Sequence, residues 1–386
     1  MLASWHLRNR ASRTATVLLI LRARRRQRDH QRRVRQHVRL LTKKINYPPQ
    51  RVYRQRMSYE MMSEELCVRR LGFSKEAIGR LCEILKDDLK PSSKCLTALT
   101  VPMKVTIALN FFACGSLQSD TGDMCNISQS AARTCIHQVT EAIFRRASDF
   151  IHFDMSPVRM KERSLAFYEI AGFPEVIGAI DGTHVPLKPP KDQPVSFVNR
   201  KGFHSLNVMI VCDAQMKILT VNADNRGSAH DSFVLANSRL HRAMSASPGL
   251  TGWLLGDEDY PLRTWLMTPY RGTRSKAQER YNRAHVTTRK VVEKAVGALK
   301  SRFRCLRSGG TLQYSPVKVS KIVVVCCALH NFALQEGLTL HLEDDLAPEV
   351  EELEECNVDP DSDVPPGVWE EARTARDHLV ATAFEH

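Results

Sequence analysis

The chain has 386 residues, enough for two compact domains with tails. With 43% hydrophobic and 25% charged residues, its composition is that of an ordinary globular protein, which excludes fibrous and low-complexity classes. No apolar run approaches the roughly 20 residues of a membrane-spanning helix, and the longest, residues 322–329, is interpreted as a buried helix, so we expect no membrane partner. The 11 cysteines form no CxxC pair, which favours reduced thiols over a disulfide framework.

The net charge of +14 is unevenly distributed. Residues 1–56 carry 17 Lys and Arg against one acid, residues 57–342 are net +11, and residues 343–386 carry 2 basic residues against 15 acids. A basic body favours a polyanionic partner such as DNA, because neutralising phosphates releases counterions. We interpret residues 1–56 as a flexible basic arm, a composition also typical of an import signal or a transit peptide. Residues 341–386 are predicted to be an acidic, disordered tail.

The first periodic region predicts a helical, DNA-binding-like domain over residues 57–155. Thr100 and Pro102 predict a helix start and Gly115 its end. Two further helices follow, and the second, residues 128–144, buries one apolar stripe. Its first turns leave Gln129, Ser130 and Arg133 exposed, where a recognition helix of a helix-turn-helix carries the side chains that reach base edges. The alternative is an ordinary helix hairpin with a solvated face.

From residue 174 the pattern changes to strands. Strands are predicted at residues 176–181, 206–213, 218–225 and 253–256, with helices at residues 231–240 and 276–303. This mixed order indicates the α/β class, with a central sheet and helices against it. We therefore predict a catalytic domain over residues 174–340.

Three acids occupy special places in this layout. Asp181 is predicted to end the first strand, Asp257 the fourth, and Glu293 lies inside the long helix. Phosphodiester hydrolysis is served by two divalent ions about 4 Å apart, and Mg²⁺ or Mn²⁺ prefers carboxylate ligands on rigid elements. A fourth acid, Asp231, either caps the next helix or faces the metal site. As isolated residues, all would be interpreted as surface acids.

Several motifs resemble one family over roughly residues 50–340, the PIF/Harbinger-type DDE transposases and the nucleases derived from them in vertebrates. The matching segments are residues 176–184, 196–207, 227–232, 253–257, 260–262, 281–285, 292–294 and 301–304. The resemblance implies a ribonuclease-H-like mixed-sheet core behind the helix-turn-helix-type domain. One departure is the pair Glu258 and Asp259, which adds negative charge after Asp257.

Carried over residue by residue, the resemblance implies that Asp181, Asp257 and Glu293 are the catalytic metal-binding triad, with Asp231 as a further metal-site acid. The second catalytic Asp has an alternative position at Asp231; Asp257 is preferred because it ends the fourth predicted strand. Arg289 shares a helix face with Glu293, which suggests a contact with the scissile phosphate.

We therefore expect a divalent-metal-dependent DNA endonuclease that works by a two-metal mechanism. The alternative is a catalytically silent DNA-binding adaptor derived from a transposase. The resemblance also implies a Myb/SANT-like nuclear partner protein and a location in the nucleus, with the cytoplasm as a second location. An oligomer is compatible with the sequence.

Overall fold

The computed structural model describes residue 34 and residues 55–91, 98–115, 118–247, 251–307, 312–338, 361 and 364–385. The chain divides into two units, Met1–Gln55 and Arg56–His386, and the account below concerns the second. The predicted basic arm, residues 1–56, lies outside the described residues except at residues 34, 55 and 56. The acidic stretch at residues 341–360 also lies outside them.

The helical pattern predicted for residues 57–155 is confirmed. The described helices of this region are α1 (Glu64–Leu71), α2 (Lys75–Ile84), α3 (Lys86–Leu89), α4 (Val101–Cys114), α5 (Gln118–Met124), α6 (Gln129–Arg145) and α7 (Ala147–Phe150). Four of them begin at a hydroxyl side chain that accepts a hydrogen bond from the backbone N–H three residues later: Ser63, Ser74, Thr100 and Ser128. These caps satisfy N–H groups that have no partner inside a helix.

Helix α4 has the predicted boundaries and lies in the core of this region. Thr100 caps it, and Gly115 ends it in the left-handed conformation at φ 65°, with its N–H donated to Phe111 O at 3.0 Å. All residues from Lys104 to Ala113 are buried. A helix that is apolar all round must be covered on every side, so the neighbouring helices pack around it.

The strands form one mixed sheet. They are β1 (Val176–Pro186), β2 (Ser205–Cys212), β3 (Ile218–Arg226), β4 (Trp253–Leu255) and β5 (Leu266–Met267), in the order β3-β2-β1-β4-β5. β1, β2 and β3 are antiparallel neighbours, whereas β4 runs parallel to β1, and β5 parallel to β4. The predicted α/β class is confirmed, with β1 as the central strand.

The remaining described helices cover the sheet. They are α8 (Pro157–Ala171), α9 (Asp231–Ala236), α10 (Arg239–Ser245), α11 (Lys276–Arg302), α12 (Pro316–Gln335) and α13 (Pro366–Ala383). Ala179 of β1 shares an apolar cluster with Val292 of α11, whereas Ile180 shares another with Val234 of α9. Successive side chains of a strand point to opposite faces, so α11 and α9 lie on opposite faces of the sheet.

Three predicted boundaries are wrong. β1 does not end at Asp181 but continues to Pro186, because β2 pairs with it along residues 179–186. The helix predicted at residues 231–240 is two helices, since Ser238 begins a new one by accepting a hydrogen bond from His241 N at 3.0 Å. Helix α8 was not predicted: only Met160 and Phe167 are buried in it, so its apolar pattern is faint.

The disorder predicted for residues 341–386 is wrong for its final part, which forms α13. Asp361 accepts a hydrogen bond from Leu262 N at 2.9 Å, and Tyr270 donates one to Asp377 at 2.6 Å. Leu379 and Val380 are buried in the cluster on α11. The net negative charge of the segment hid this apolar face, which fastens α13 to the body.

The helical region and the sheet share one apolar cluster. It includes Leu109 of α4, Ile136 of α6, Val208 of β2 and Phe332 of α12. The boundaries proposed for a helical domain and a catalytic domain stay predictions, but within the described residues the two regions are packed through a common core. Helix α12 is long and apolar enough to cross a membrane, yet it is mostly buried here, as predicted for residues 322–329.

Candidate active site

Parallel pairing of β1 with β4 brings the first two acids together. Ala179 is level with Leu255, the last residue of β4. Asp181 and Asp257 each lie two residues further along, so continuing the register places them side by side past the end of β4. The carboxylate of Asp257 accepts a hydrogen bond from the backbone N–H of Asp259 at 3.0 Å, which fixes its orientation.

Helix α11 contributes the third acid and a basic side chain. Arg289 Nη2 lies 2.5 Å from Glu293 Oε1, one helical turn away. Its Nη1 lies 3.3 Å from Asp181 Oδ1 and 3.8 Å from Asp257 Oδ2. The side chains of Arg289 and Asp181 are only 15% and 18% exposed, whereas that of Glu293 is 48% exposed. The predicted triad therefore converges on one guanidinium at the edge of a half-buried cleft.

Asp231 reaches the same cluster from the opposite face of the sheet. It is the first residue of α9 and not its N-cap, which is His230, so the capping alternative is wrong. Asn207 on β2 donates a hydrogen bond to Asp231 Oδ1 at 2.6 Å and another to Ala229 O at 2.9 Å. Gly182 leaves the space for this carboxylate, because a Cβ at that position would overlap it.

The cluster carries more negative charge than its surroundings balance. Burial raises the pKa of Asp181 well above its ordinary value; Arg289 opposes this shift, and Asp257, Asp231 and Glu293 reinforce it. Burial likewise raises the pKa of Asp257 to about 7, again against the effect of Arg289. Tyr260, fully buried beside the acids, also has a raised pKa, first through burial and then through Asp231 and Asp257. Such shifts indicate carboxylates held close together in a low-dielectric place.

These residues fit a hard divalent cation by their chemistry. The donors are carboxylate oxygens on strand ends and helices, the ligands that Mg²⁺ and Mn²⁺ prefer. The hydroxyl of Tyr260 is buried beside them without a hydrogen-bond partner. In the arrangement described, no group of three or more His, Cys, Asp or Glu in the described residues converges tightly enough to hold a metal ion. Arg289 occupies the point between the acids instead.

The predicted DNA-contacting residues lie on another element. Ile136 and Val139 of α6 are buried as predicted, whereas Gln129, Ser130 and Arg133 are exposed. The positive charge of Arg133 lies close to α12, since burial and Arg133 together lower the pKa of Lys318. Arg289 is not among these exposed residues; its side chain is engaged with the acids.

Sequence reasoning missed some residues that shape the site. Asn207 is a polar residue in an otherwise apolar strand, which was the available signal. Arg200, in the connection between β1 and β2, lies 2.8 Å from His230 Nδ1 and 3.9 Å from Asp259 Oδ2. It therefore sits beside the neighbours of two site acids, and its charge partly balances the extra acid at Asp259. No local pattern indicated this contact.

Comparison with known proteins agrees with this geometry. The model of the DDE superfamily endonuclease family matches residues 180–331. The Bos taurus protein named "Putative nuclease HARBI1" is 41% identical over 284 residues, which are 73% of this chain and 81% of the relative. Its Xenopus laevis counterpart is 37% identical over 331 residues, 85% and 93% of the two chains. "Protein ALP1-like" of Arabidopsis thaliana is 29% identical over 283 residues, 68% of each chain. No solved structure matches significantly. The ribonuclease-H-like core expected from the sequence is confirmed.

Proposed function

The chain belongs to the Harbinger transposase-derived nucleases of the HARBI1 family, and on this premise we propose that it is a divalent-metal-dependent DNA endonuclease. The observation that carries the proposal is the convergence of Asp181, Asp257 and Glu293 from three separate elements. Acids brought together at such distances repel one another. They are stable together only with cations, which the proposed reaction requires.

In this proposal Asp181, Asp257 and Glu293 hold Mg²⁺ or Mn²⁺, with Asp231 as a further ligand. Two such ions polarise the scissile phosphate and ionise the attacking water. Asn207 orients Asp231 through its hydrogen bond of 2.6 Å. The guanidinium of Arg289 is available for a phosphate oxygen, because Arg binds phosphate through paired N–H groups.

We further propose that DNA lies along α6 as well as at the acids. Gln129, Ser130 and Arg133 are exposed near the start of α6, which suits a recognition helix. The net charge of +11 over residues 57–342 favours any duplex through its phosphates. A Myb/SANT-like partner and a location in the nucleus, with the cytoplasm as a second location, belong to this proposal through the family resemblance alone.

Cleavage of supercoiled plasmid with Mg²⁺ or Mn²⁺ tests the proposal. We expect the wild type to nick or linearise the plasmid, and Asp181→Asn and Glu293→Gln to lose at least about a hundredfold in rate, since each removes a ligand of the reacting centre. Glu258→Gln is the matched control, because it neutralises an exposed acid next to Asp257. Wild-type cleavage that survives both site substitutions would refute the assignment.

The second candidate is a catalytically silent DNA-binding adaptor. The observation that favours it is the pairing of Arg289 with the acids, which partly neutralises the cluster without metal. An adaptor would bind DNA in a salt-dependent way without cutting it under any metal condition. Arg133→Ala would weaken that binding, whereas Glu293→Gln would leave it unchanged.

A further inference from the structure

Arg289 contacts all three members of the proposed triad. Its two terminal nitrogens lie 3.3 Å from Asp181, 3.8 Å from Asp257 and 2.5 Å from Glu293. Only Glu293 is near it in sequence; the other two come from β1 and from the segment after β4. The guanidinium therefore lies where carboxylates from three elements converge, and its side chain is mostly shielded from solvent.

A guanidinium and a divalent cation compete for this position. Mg²⁺ requires carboxylate oxygens at about 2.0–2.1 Å in near-octahedral geometry, and the oxygens nearest to hand are the ones that Arg289 already contacts. Two cations in the same half-buried cleft also repel each other. Metal binding at these oxygens therefore requires Arg289 to move away from at least part of its present contacts.

A phosphate is the group best suited to draw the side chain away. The planar fork of Arg donates two parallel hydrogen bonds to a phosphate as well as to a carboxylate. A DNA backbone entering the cleft would bring such phosphates next to the acids. The exchange keeps every charge compensated, because the metal replaces the guanidinium on the carboxylates and the guanidinium moves to the phosphate.

We propose that Arg289 is a resident counter-ion that couples metal binding to DNA binding at this site. The inference rests on the proposed function and adds regulation to it. Without DNA, Arg289 balances the acids and metal binds weakly; with DNA, the acids are released and metal binds tightly. Such coupling is reciprocal, so metal must tighten DNA binding by the same factor.

Binding of Mn²⁺, followed by electron paramagnetic resonance of the free ion, tests the proposal without relying on catalysis. The full chain is titrated with Mn²⁺ alone and with a synthetic duplex carrying phosphorothioate linkages, which resist hydrolysis. Arg289→Ala is compared with Lys290→Ala, which removes a positive charge from the next, exposed position of the same helix. Arg289→Lys keeps the charge without the fork and guards against a folding defect, which circular dichroism checks.

We expect Arg289→Ala to bind Mn²⁺ about tenfold more tightly than wild type without DNA, within the range of ordinary coupling energies. The duplex should tighten Mn²⁺ binding about tenfold in the wild type and in Lys290→Ala, and little in Arg289→Ala. Arg289→Lys should fall between. If all four proteins bind Mn²⁺ equally and respond equally to the duplex, the coupling is refuted while the metal site stands. If none binds Mn²⁺ under any condition, the proposed function fails together with the coupling.

Discussion

Replacing Asp257 by asparagine should stabilise the metal-free protein while it removes a proposed ligand. Burial holds the pKa of Asp257 at about 7 against an ordinary value of 3.8. Between these values the folded state binds the extra proton, so its stability falls as pH rises through this window. At about 1.4 kcal/mol per pH unit, the charged side chain costs the folded state on the order of 4 kcal/mol at pH 8. Asparagine carries no charge and keeps an oxygen for the N–H of Asp259.

Urea unfolding in the presence of EDTA measures this effect. We expect Asp257→Asn to exceed wild type by roughly 2–4 kcal/mol at pH 8, and the advantage to shrink by about 2 kcal/mol at pH 5.5, because the wild-type side chain is then protonated when folded. Glu258→Gln, at the exposed neighbouring position, should change little at either pH. An Asp257→Asn protein that is no more stable than wild type at pH 8, or equally favoured at both pH values, would refute the reasoning.

Three further predictions concern other parts of the molecule. Gly182→Ala should displace the carboxylate of Asp231 and lower plasmid cleavage at least about tenfold without unfolding the chain by circular dichroism; full activity would show that Asp231 is dispensable. Asn331→Ala should lower stability in urea by roughly 3 kcal/mol, because the fully buried amide makes three hydrogen bonds to backbone groups that would lose their partner; a loss under 1 kcal/mol would contradict this. Arg133→Ala should weaken duplex binding and reduce its salt dependence by about one phosphate contact, measured by fluorescence anisotropy; an unchanged slope would exclude α6 from the DNA surface.

The positions of the site acids were predictable, but their geometry was not. Asp181 and Asp257 follow recognisable strand patterns, and the four-residue spacing of Arg289 and Glu293 places them on one helix face. The side-by-side approach of the two aspartates depends on the register of β1 and β4. Register is set by packing and not by either strand alone.

The contacts of Arg289 and Asn207 were beyond reach for a related reason. Arg289 meets Asp181 across 108 positions of the chain, and Asn207 meets Asp231 across 24. Spacing arguments apply within one helix or strand and carry no information at such separations. Only the polar character of Asn207 in a buried strand pointed to a partner, and it did not say which one.

Net charge was misleading at the carboxyl-terminal end. The acids of residues 343–386 predicted disorder, yet Ala372, Leu379 and Val380 are spaced by seven and one, as on one face of a helix, and are buried. A few apolar side chains at helical spacing outweigh a large average charge, because burial depends on one face and not on composition.

The apolar cluster shared by α6 and the sheet has a consequence for work on a polymer. Ile136 behind the exposed start of α6 and Val208 behind the acid cluster belong to the same core, so these two surfaces are not free to slide or pivot independently. A duplex touching both would be held at two points of one solid frame. The number of base pairs between grip and cut would then be constant, as between the fixed jaws of a gauge, and a change of even one step of about 3.4 Å would have to come from bending the DNA.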